Sequence, residues 1–316
     1  MQRPNLHWKN DLLNTYTTYL ITRSFLMKII KGCQQIILCI TVMLYGVSVS
    51  AESINVGVQA PRSAVKALAK WGELGKYLQT ELGMDVKIVP LNPAVTVDAV
   101  KSGKVDFMLA NPVVTLVIKE KNAATPLVTV NKKYGSQFSG VIIAKKGNGI
   151  ATAVDLKGKK VMTYKKKSAA AYVFQVKHLK DNGVSVEDFG STKIAKKQDD
   201  IVLAVKAGLF DAGFVKSGLL ESMAAEGKVS LDDFTIVDNQ NDSLSLVHST
   251  ALYPEWCFSA TTDKGNGMVD KVKAALTKLT AGDAASTKAK IVGFVELEDL
   301  TELAGTLKSL KMAPYN

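Results

Sequence analysis

Histidine and cysteine are nearly missing, with three of each in 316 residues. His7 lies upstream of any folded pattern, and His178 falls on a helical stretch where a solvated position is the simpler expectation. Only His248 stands in a loop-like context. Serine or cysteine nucleophiles therefore lack a neighbouring base to activate them. No nucleophile elbow, Walker loop, dinucleotide fingerprint or metalloprotease helix can be read. The acid pairs Asp199-Asp200 and Asp232-Asp233 stand at helix starts, where the helix dipole accounts for them. The expectation is a protein that is not an enzyme, with no catalytic residue, metal ligand or cofactor. Cys33 and Cys39 fall in a leader-like stretch, so Cys257 is alone after it and no disulfide can form there.

Aromatic residues are also few, 7% of the chain, and they do not alternate with the basic residues to make a base-stacking platform. Lysine and arginine total 40 against 29 acids. An excess of that size suits nucleic acid, an anionic surface or an acidic ligand. The lysines are spread through amphipathic helices, with small clusters only at Lys165-Lys166-Lys167 and Lys196-Lys197, which argues against nucleic acid.

Apolar runs long enough to span a bilayer are lacking. Lys28 and Lys31 form a basic start, Ile36 to Val47 an apolar stretch, and Val49-Ser50-Ala51 a small-residue step. The apolar stretch is shorter than the ~20 residues a membrane helix needs. It reads as a signal peptide over residues 27–51, cleaved after Ala51, with residues 1–26 as an upstream extension. The mature chain then starts at Glu52 in the periplasm.

From Ile54 onward short apolar runs alternate with amphipathic stretches, the pattern of an α/β protein with helices on both faces of its sheets. Strands are expected at Ile54–Val58, Val86–Val89 and Phe107–Ala110, with helices at Ala64–Leu82 and Val95–Ser102. A second cycle gives strands at Gly140–Ala144, Val161–Thr163, Ala212–Val215 and Thr235–Val237. Its helices are Ala170–Asn182, Asp199–Ala207 and Ser217–Glu226, the last with a serine cap. After Ser245 the pattern offers one strand, Phe258–Thr261, and helices at Met268–Thr280, Ala284–Ile291 and Glu298–Leu310. One strand cannot build a third sheet, so the tail is expected to return to the first lobe. The layout is then residues 52–138 for lobe 1, 139–248 for an inserted lobe 2, and 249–316 for the return. Crossings fall near Ser139 and Ser249.

In such sheets ligands bind beyond the carboxyl ends of the strands, where helix N-termini present unpaired N–H groups. Several junctions qualify. Arg62 follows the first strand and can pair bidentately with an oxyanion. Asn111 follows the third, Ser168 and Gln198 precede helices, and Lys216 follows the strand ending at Val215. Each of these residue types also serves as a plain helix cap. Trp71 shares a helical face with Leu68, Leu74 and Leu78, and is expected in the core. Cys257 reads as a small apolar packing residue. For Tyr253 and Trp256, hinge packing and ligand contact both remain open.

The segments WGELGKYLQTELGMDVKIVPL, SGKVDFMLANP, FSGVIIAKK, DLKGKKVM, IVLAVKAGLFDAGFV and LLESMAAEGKVSLDDF, in that order, resemble the periplasmic phosphate/phosphonate-binding (PhnD-like) family. HSTALYPEWCFSA is similar to a branch used as the sensory domain of tetrathionate sensor histidine kinases. The resemblance implies a type II periplasmic-binding-protein fold of two lobes, each with a central mixed sheet flanked by helices, closing on an anion by hinge motion. A Ser-Thr-Ser run that holds phosphonate oxygens in the family corresponds to Ser168-Ala169-Ala170, so one hydroxyl remains. A phosphonate-holding histidine corresponds to Gln198. The family's tyrosine has no counterpart near Asn111-Pro112, and Cys257 replaces a proline of the sensor branch. His248 and Ser249 match that branch's His-Ser-Thr and are expected to face the cleft. These departures weigh against 2-aminoethylphosphonate and toward another small oxyanion, of phosphorus or sulfur. The expected partners are that anion and either an ABC permease or a sensor histidine kinase in another chain, with no nucleic acid and a monomeric state.

Overall fold

A computed structural model describes residues 53–61, 63–121 and 123–316. Arg62, the leader with its cleavage step after Ala51, and residues 1–26 lie outside the described residues. No helix among the described residues is long and apolar enough to cross a membrane.

The chain enters through β1 (Ser53–Gln59), whose Ile54, Val56 and Val58 are fully buried. Helix α1 (Ala64–Leu82) follows. Ser63 caps it by accepting from the Lys66 N–H at 3.2 Å, and Gly83 ends it at φ 66°, a conformation glycine adopts without strain. Its buried residues Ala67, Trp71, Leu74, Gly75 and Leu78 recur at helical spacing. Leu68, expected on the same face, is 44% exposed. Burying Trp71, Leu74 and Leu78 contributes roughly 1.5–3 kcal/mol each.

Next come β2 (Asp85–Leu91), α2 (Thr96–Lys101), β3 (Phe107–Ala110), α3 (Pro112–Glu120) and β4 (Thr125–Asn131). Neither α3 nor β4 is among the sequence expectations. Helix α3 is apolar through most of its short length, with Pro112, Val113, Val114, Thr115, Leu116 and Ile118 buried, so it reads as a brief apolar run that periodicity alone does not assign to a helix.

The two-residue strand β5 (Gln137–Phe138) leads across to β6 (Gly140–Lys145). The second lobe continues with β7 (Lys160–Thr163), a π-type turn at Ala169–Val173 running into α4 (Phe174–Asp181), β8 (Ser191–Ile194), α5 (Gln198–Lys206), β9 (Ala212–Lys216), α6 (Leu219–Ala225) and β10 (Phe234–Ile236). The single helix expected from Ala170 is thus interrupted at Ala171 (φ −128°). Helix α6 starts two residues later than expected and lacks a serine cap. Gly218 at φ 80° precedes it, and the Ser217 hydroxyl instead accepts from the Ser139 N–H at 3.1 Å.

The return runs through β11 (Tyr253–Pro254), β12 (Cys257–Ala260), α7 (Val269–Lys278), α8 (Ala284–Ala289), β13 (Gly293–Glu296) and α9 (Thr301–Ser309). The tail holds β11 and β13 beyond the one strand expected there.

The strands form two principal sheets. One has the order β13-β4-β12-β3-β1-β2, the other β10-β6-β9-β7-β8, and β11 pairs with β5. Both are mixed. β1 runs parallel to β2 and β3, whereas β12 is antiparallel to β3 and β4. β7 is parallel to β8 and β9, and β6 is antiparallel to β9 and β10. Each sheet has its own apolar cores, Phe107, Leu109, Phe258 and Phe294 in the first and Ile142, Val161, Leu179 and Phe214 in the second. A further cluster is shared between lobes: Val113, Leu116, Leu303 and Leu307 pack with Ala169, Ala170, Val173 and Phe174.

The crossings lie side by side. Ser139 Oγ donates to the Thr250 carbonyl at 2.7 Å, and the Gly140 N–H donates to Thr250 Oγ1 at 3.0 Å. Gly140 sits under Gln175, whose Nε2 donates to the carbonyls of Val215 (2.8 Å), Ala170 (2.9 Å) and Val141 (3.3 Å). A Cβ at residue 140 would lie 2.6 Å from that nitrogen, so a side chain there must displace the amide.

Candidate functional site

The carboxyl ends of strands from the two sheets face each other. The Tyr164 hydroxyl, just past β7, lies 3.5 Å from the carbonyl of Pro61, just past β1. Arg62 follows Pro61 in sequence and is not described.

On the first lobe, Asn111 is a working cap. Its Oδ1 accepts from the N–H groups of Val113 (3.0 Å) and Val114 (3.2 Å), and its Nδ2 donates to Gln59 Oε1 at 2.8 Å. The Asn111 N–H donates to the same Gln59 oxygen at 3.2 Å. Asn111 thereby holds Gln59, a residue the sequence reading did not single out, at the end of β1.

On the second lobe, Gln198 Oε1 accepts the Lys216 N–H at 3.0 Å, which fixes these two expected site residues together. Ser168 precedes the π-type turn, is half-buried, and makes no side-chain capping bond. Thr163, the last residue of β7, is fully buried, and its Oγ1 has no hydrogen-bond partner among the described residues.

His248 and Ser249 are placed in the crossing itself and do not face the cleft with open donors. The His248 ring is fully buried, with Nδ1 2.8 Å from the Leu246 carbonyl and Nε2 3.0 Å from Asp242 Oδ2. Burial opposes ionisation of Asp242, yet the Leu244 N–H and His248 outweigh it and hold the carboxyl below its usual range. Ser249 Oγ accepts the Ile142 N–H at 2.9 Å, and the Ser249 N–H donates to the Gly140 carbonyl at 2.9 Å. His178 is not simply solvated. Its Nε2 lies 2.7 Å from Asp238 Oδ2.

Tyr253 resolves toward packing. Its ring stacks on Phe174 with centroids 4.1 Å apart, and its hydroxyl is 3.1 Å from Thr306 Oγ1. Trp256 packs against the first core. Cys257 is fully buried, and desolvation pushes its thiol up to about 12, as suits a packing residue.

The cation cluster beside the crossings was not legible in the sequence. Lys132, one residue past β4, is ion-paired with Glu255, whose side chain is 2% exposed. The second carboxylate oxygen of Glu255 accepts the Trp256 N–H at 3.2 Å. Lys70 on α1 lies 4.7 Å from the Trp71 ring centroid. Desolvation, then the positive charges of Lys132 and Lys216, lower its pKa to about 7, against the opposing pull of Glu255. Lys70 and Lys132 belong to the first lobe and Lys216 to the second. An anion placed near Lys70 would offset that repulsion.

The comparisons agree with this fold. A family model described as ABC transporter, phosphonate, periplasmic substrate-binding protein matches residues 56–301. The tetrathionate sensor histidine kinase TtrS of Salmonella typhimurium is 29% identical over 233 residues, covering 72% of this chain and 39% of that protein. The chain thus spans about two fifths of that relative's length. The structure of PhnD1 from Prochlorococcus marinus in complex with methylphosphonate matches with a TM-score of 0.66 at 14% identity, covering 82% of this chain and 98% of that one. A binding protein component of an ABC phosphonate transporter from Pseudomonas aeruginosa matches at 0.65 and 15%, covering 82% and 86%. At such identities the likeness shows the fold, the type II periplasmic-binding-protein arrangement of two helix-flanked sheets.

Proposed function

The chain belongs to the family of periplasmic substrate-binding proteins of phosphonate ABC transporters, and we propose that it captures a small oxyanion between its lobes and delivers it to a membrane importer. The observation that carries this reading is the meeting of strand ends from the two sheets, where the Tyr164 hydroxyl lies 3.5 Å from the Pro61 carbonyl, with Gln198 held on the Lys216 N–H at the end of β9. Ser168, Gln198 and the backbone N–H groups after Ser168 are the donors proposed on the second lobe, and Arg62 and Gln59 those on the first. No acid–base pair is placed among them, so the site is proposed to bind and not to transform its ligand.

The test is a thermal-shift and calorimetric screen against phosphate, phosphite, methylphosphonate, sulfate, thiosulfate and tetrathionate. A ligand that binds only the native state raises the melting temperature with concentration. Response to neutral or cationic solutes alone refutes the reading. Arg62→Ala is expected to weaken binding by ~1 kcal/mol or more, through loss of a charge-assisted hydrogen bond. Mass spectrometry of the periplasmic protein should find Glu52 at the N-terminus.

A second reading is favoured by the tetrathionate-sensor relative: a sensory protein that reports anion occupancy to a histidine kinase in another chain. A deletion strain separates the two. Loss of anion uptake supports import, whereas intact uptake with loss of anion-induced transcription supports sensing.

A further inference from the structure

Three consecutive residues of the π-type turn, Ala169, Ala170 and Ala171, are buried at 3% exposure or less. The first backbone bond of the turn runs from the Val173 N–H to the Ser168 carbonyl, and the N–H groups of those three alanines meet no acceptor among the described residues. Buried backbone donors without partners are uncommon, and at a helix start they suit an anion. Thr163 Oγ1 is likewise buried without a partner. It ends β7 on the same face as Val161, which shares the second lobe's core with Tyr172 of the turn.

The side chain that holds this turn is Gln175, the second residue of α4. It is fully buried and engaged through Nε2, while its Oε1 meets no donor among the described residues. Each of the three carbonyls that Nε2 reaches belongs to a planar, trans peptide unit, whose N–H points the opposite way. Fixing the carbonyl therefore aims the N–H. The Ala170 carbonyl (2.9 Å) shares its unit with the unpaired N–H of Ala171. The Val215 carbonyl (2.8 Å) shares its unit with the Lys216 N–H, which donates to Gln198 Oε1 at 3.0 Å. The Val141 carbonyl (3.3 Å) shares its unit with the Ile142 N–H, which donates to Ser249 Oγ at 2.9 Å in the second crossing.

We infer that Gln175 is a positioning residue for anion capture: its one amide aims the Ala171 N–H at the ligand, steadies the peptide that holds Gln198, and ties both to the crossing. This rests on the oxyanion reading above. At Ala171 (φ −128°, ψ 16°) the backbone is not helical, so helical torsions alone do not set the direction of that unit. Gly140 belongs to the same arrangement, since only a residue without Cβ leaves room for the amide.

The experiment is titration calorimetry and heteronuclear NMR on the full chain, with methylphosphonate, sulfate and tetrathionate as probes. For whichever probe the wild type binds, saturation should move the Ala171 amide proton downfield, as a new hydrogen bond to an anion does. Gln175→Met, close in size but without a donor, should bind about tenfold or more weakly, the effect of losing one charge-assisted hydrogen bond, and should lose that downfield shift. Gly140→Ala displaces the same amide without altering residue 175, and should also weaken binding. The double mutant Gly140→Ala/Gln175→Met should bind no more weakly than Gln175→Met alone. Leu179→Ala, in the core of the same lobe, controls for lost stability and should keep wild-type affinity while folded. Wild-type affinity in Gln175→Met overturns the inference; should that variant not fold, wild-type affinity in Gly140→Ala does so. An Ala171 amide proton that ignores the bound anion overturns it too, as does an equal loss of affinity in Leu179→Ala. In each of these cases oxyanion capture still stands. If no oxyanion binds the wild type, the capture reading falls and this inference with it.

Discussion

Replacing Gly140 with alanine tests the account of the first crossing. Nothing in the backbone at residue 140 demands glycine. Its φ is not in the left-handed region, and the constraint is the Gln175 amide 2.6 Å from where Cβ would stand. The methyl group must push that amide aside and weaken its bonds to the carbonyls of Val215, Ala170 and Val141. Two of these are of good length and one is long. At about 1 kcal/mol for each good bond, the expected destabilisation is ~2–3 kcal/mol. Urea unfolding followed by circular dichroism measures it, provided the transition is a single one. The double mutant Gly140→Ala/Gln175→Ala makes the reasoning specific. With the amide gone the methyl costs little, so the double mutant should resemble Gln175→Ala alone, with a coupling energy close to the full cost of Gly140→Ala. Additive effects, or a cost below about 0.5 kcal/mol for Gly140→Ala, would refute the steric account.

Three further expectations follow from burial and pairing. Phe174→Ala removes a ring that stacks on Tyr253 and meets Phe138 edge-on at 5.4 Å, and should cost ~3–5 kcal/mol in chemical denaturation. Asp242→Asn deprives the buried His248 of its carboxylate and should cost ~1–2 kcal/mol at neutral pH. Because the Asp242 carboxyl titrates below its usual range, its contribution is present above the unfolded-state pKa and is lost as pH falls through the folded one. The difference between wild type and Asp242→Asn should therefore vanish in acid. Cys257 should resist alkylation in the native protein at pH 8 and react in urea, as read by peptide mapping; native labelling at that pH would contradict its burial and raised thiol pKa.

The elements best read from the sequence are those with a strong period and clear ends. Ala64–Leu82 has a serine before it, a glycine after it and one apolar face, and the structure gives the same bounds. Phe107–Ala110 is likewise bounded as expected, by residues that leave the strand for a helix cap. The helix Pro112–Glu120 escaped because a short, mostly buried apolar run cannot be told from a strand by its pattern alone. The strand Ser191–Ile194 escaped for the opposite reason, since all four residues are exposed at a sheet edge. Of the proposed site, Gln198 and Lys216 stand out in the sequence because strand ends and helix starts have local signatures, and the two are hydrogen-bonded. His248 and Ser249 were readable as conspicuous residues, but only coordinates show their polar atoms spent on the crossing. Lys132 and Glu255 are 123 residues apart, and one lysine among so many carries no mark of its eventual partner.

The two lobes are also fastened behind the crossings. Helix α9 and the segment after it pack on both: Leu303 and Leu307 join the shared apolar cluster, Met312 reaches the second lobe's core, and Lys180 Nζ donates to the Ser309 carbonyl. A body clamped on one side of its pivot moves like a nutcracker, with travel growing in proportion to distance from the pin. Lys132 and Glu255 sit beside β5 and β11, and Lys216 adjoins Ser217, which is bonded to Ser139. These charges lie close to the pin and should hold nearly constant spacing at any jaw angle. The Tyr164–Pro61 contact closes directly between the lobes and should travel further. An arriving anion would then be attracted by a standing positive field before any movement occurs. The later swing of the jaws would govern how long it stays more than how fast it arrives.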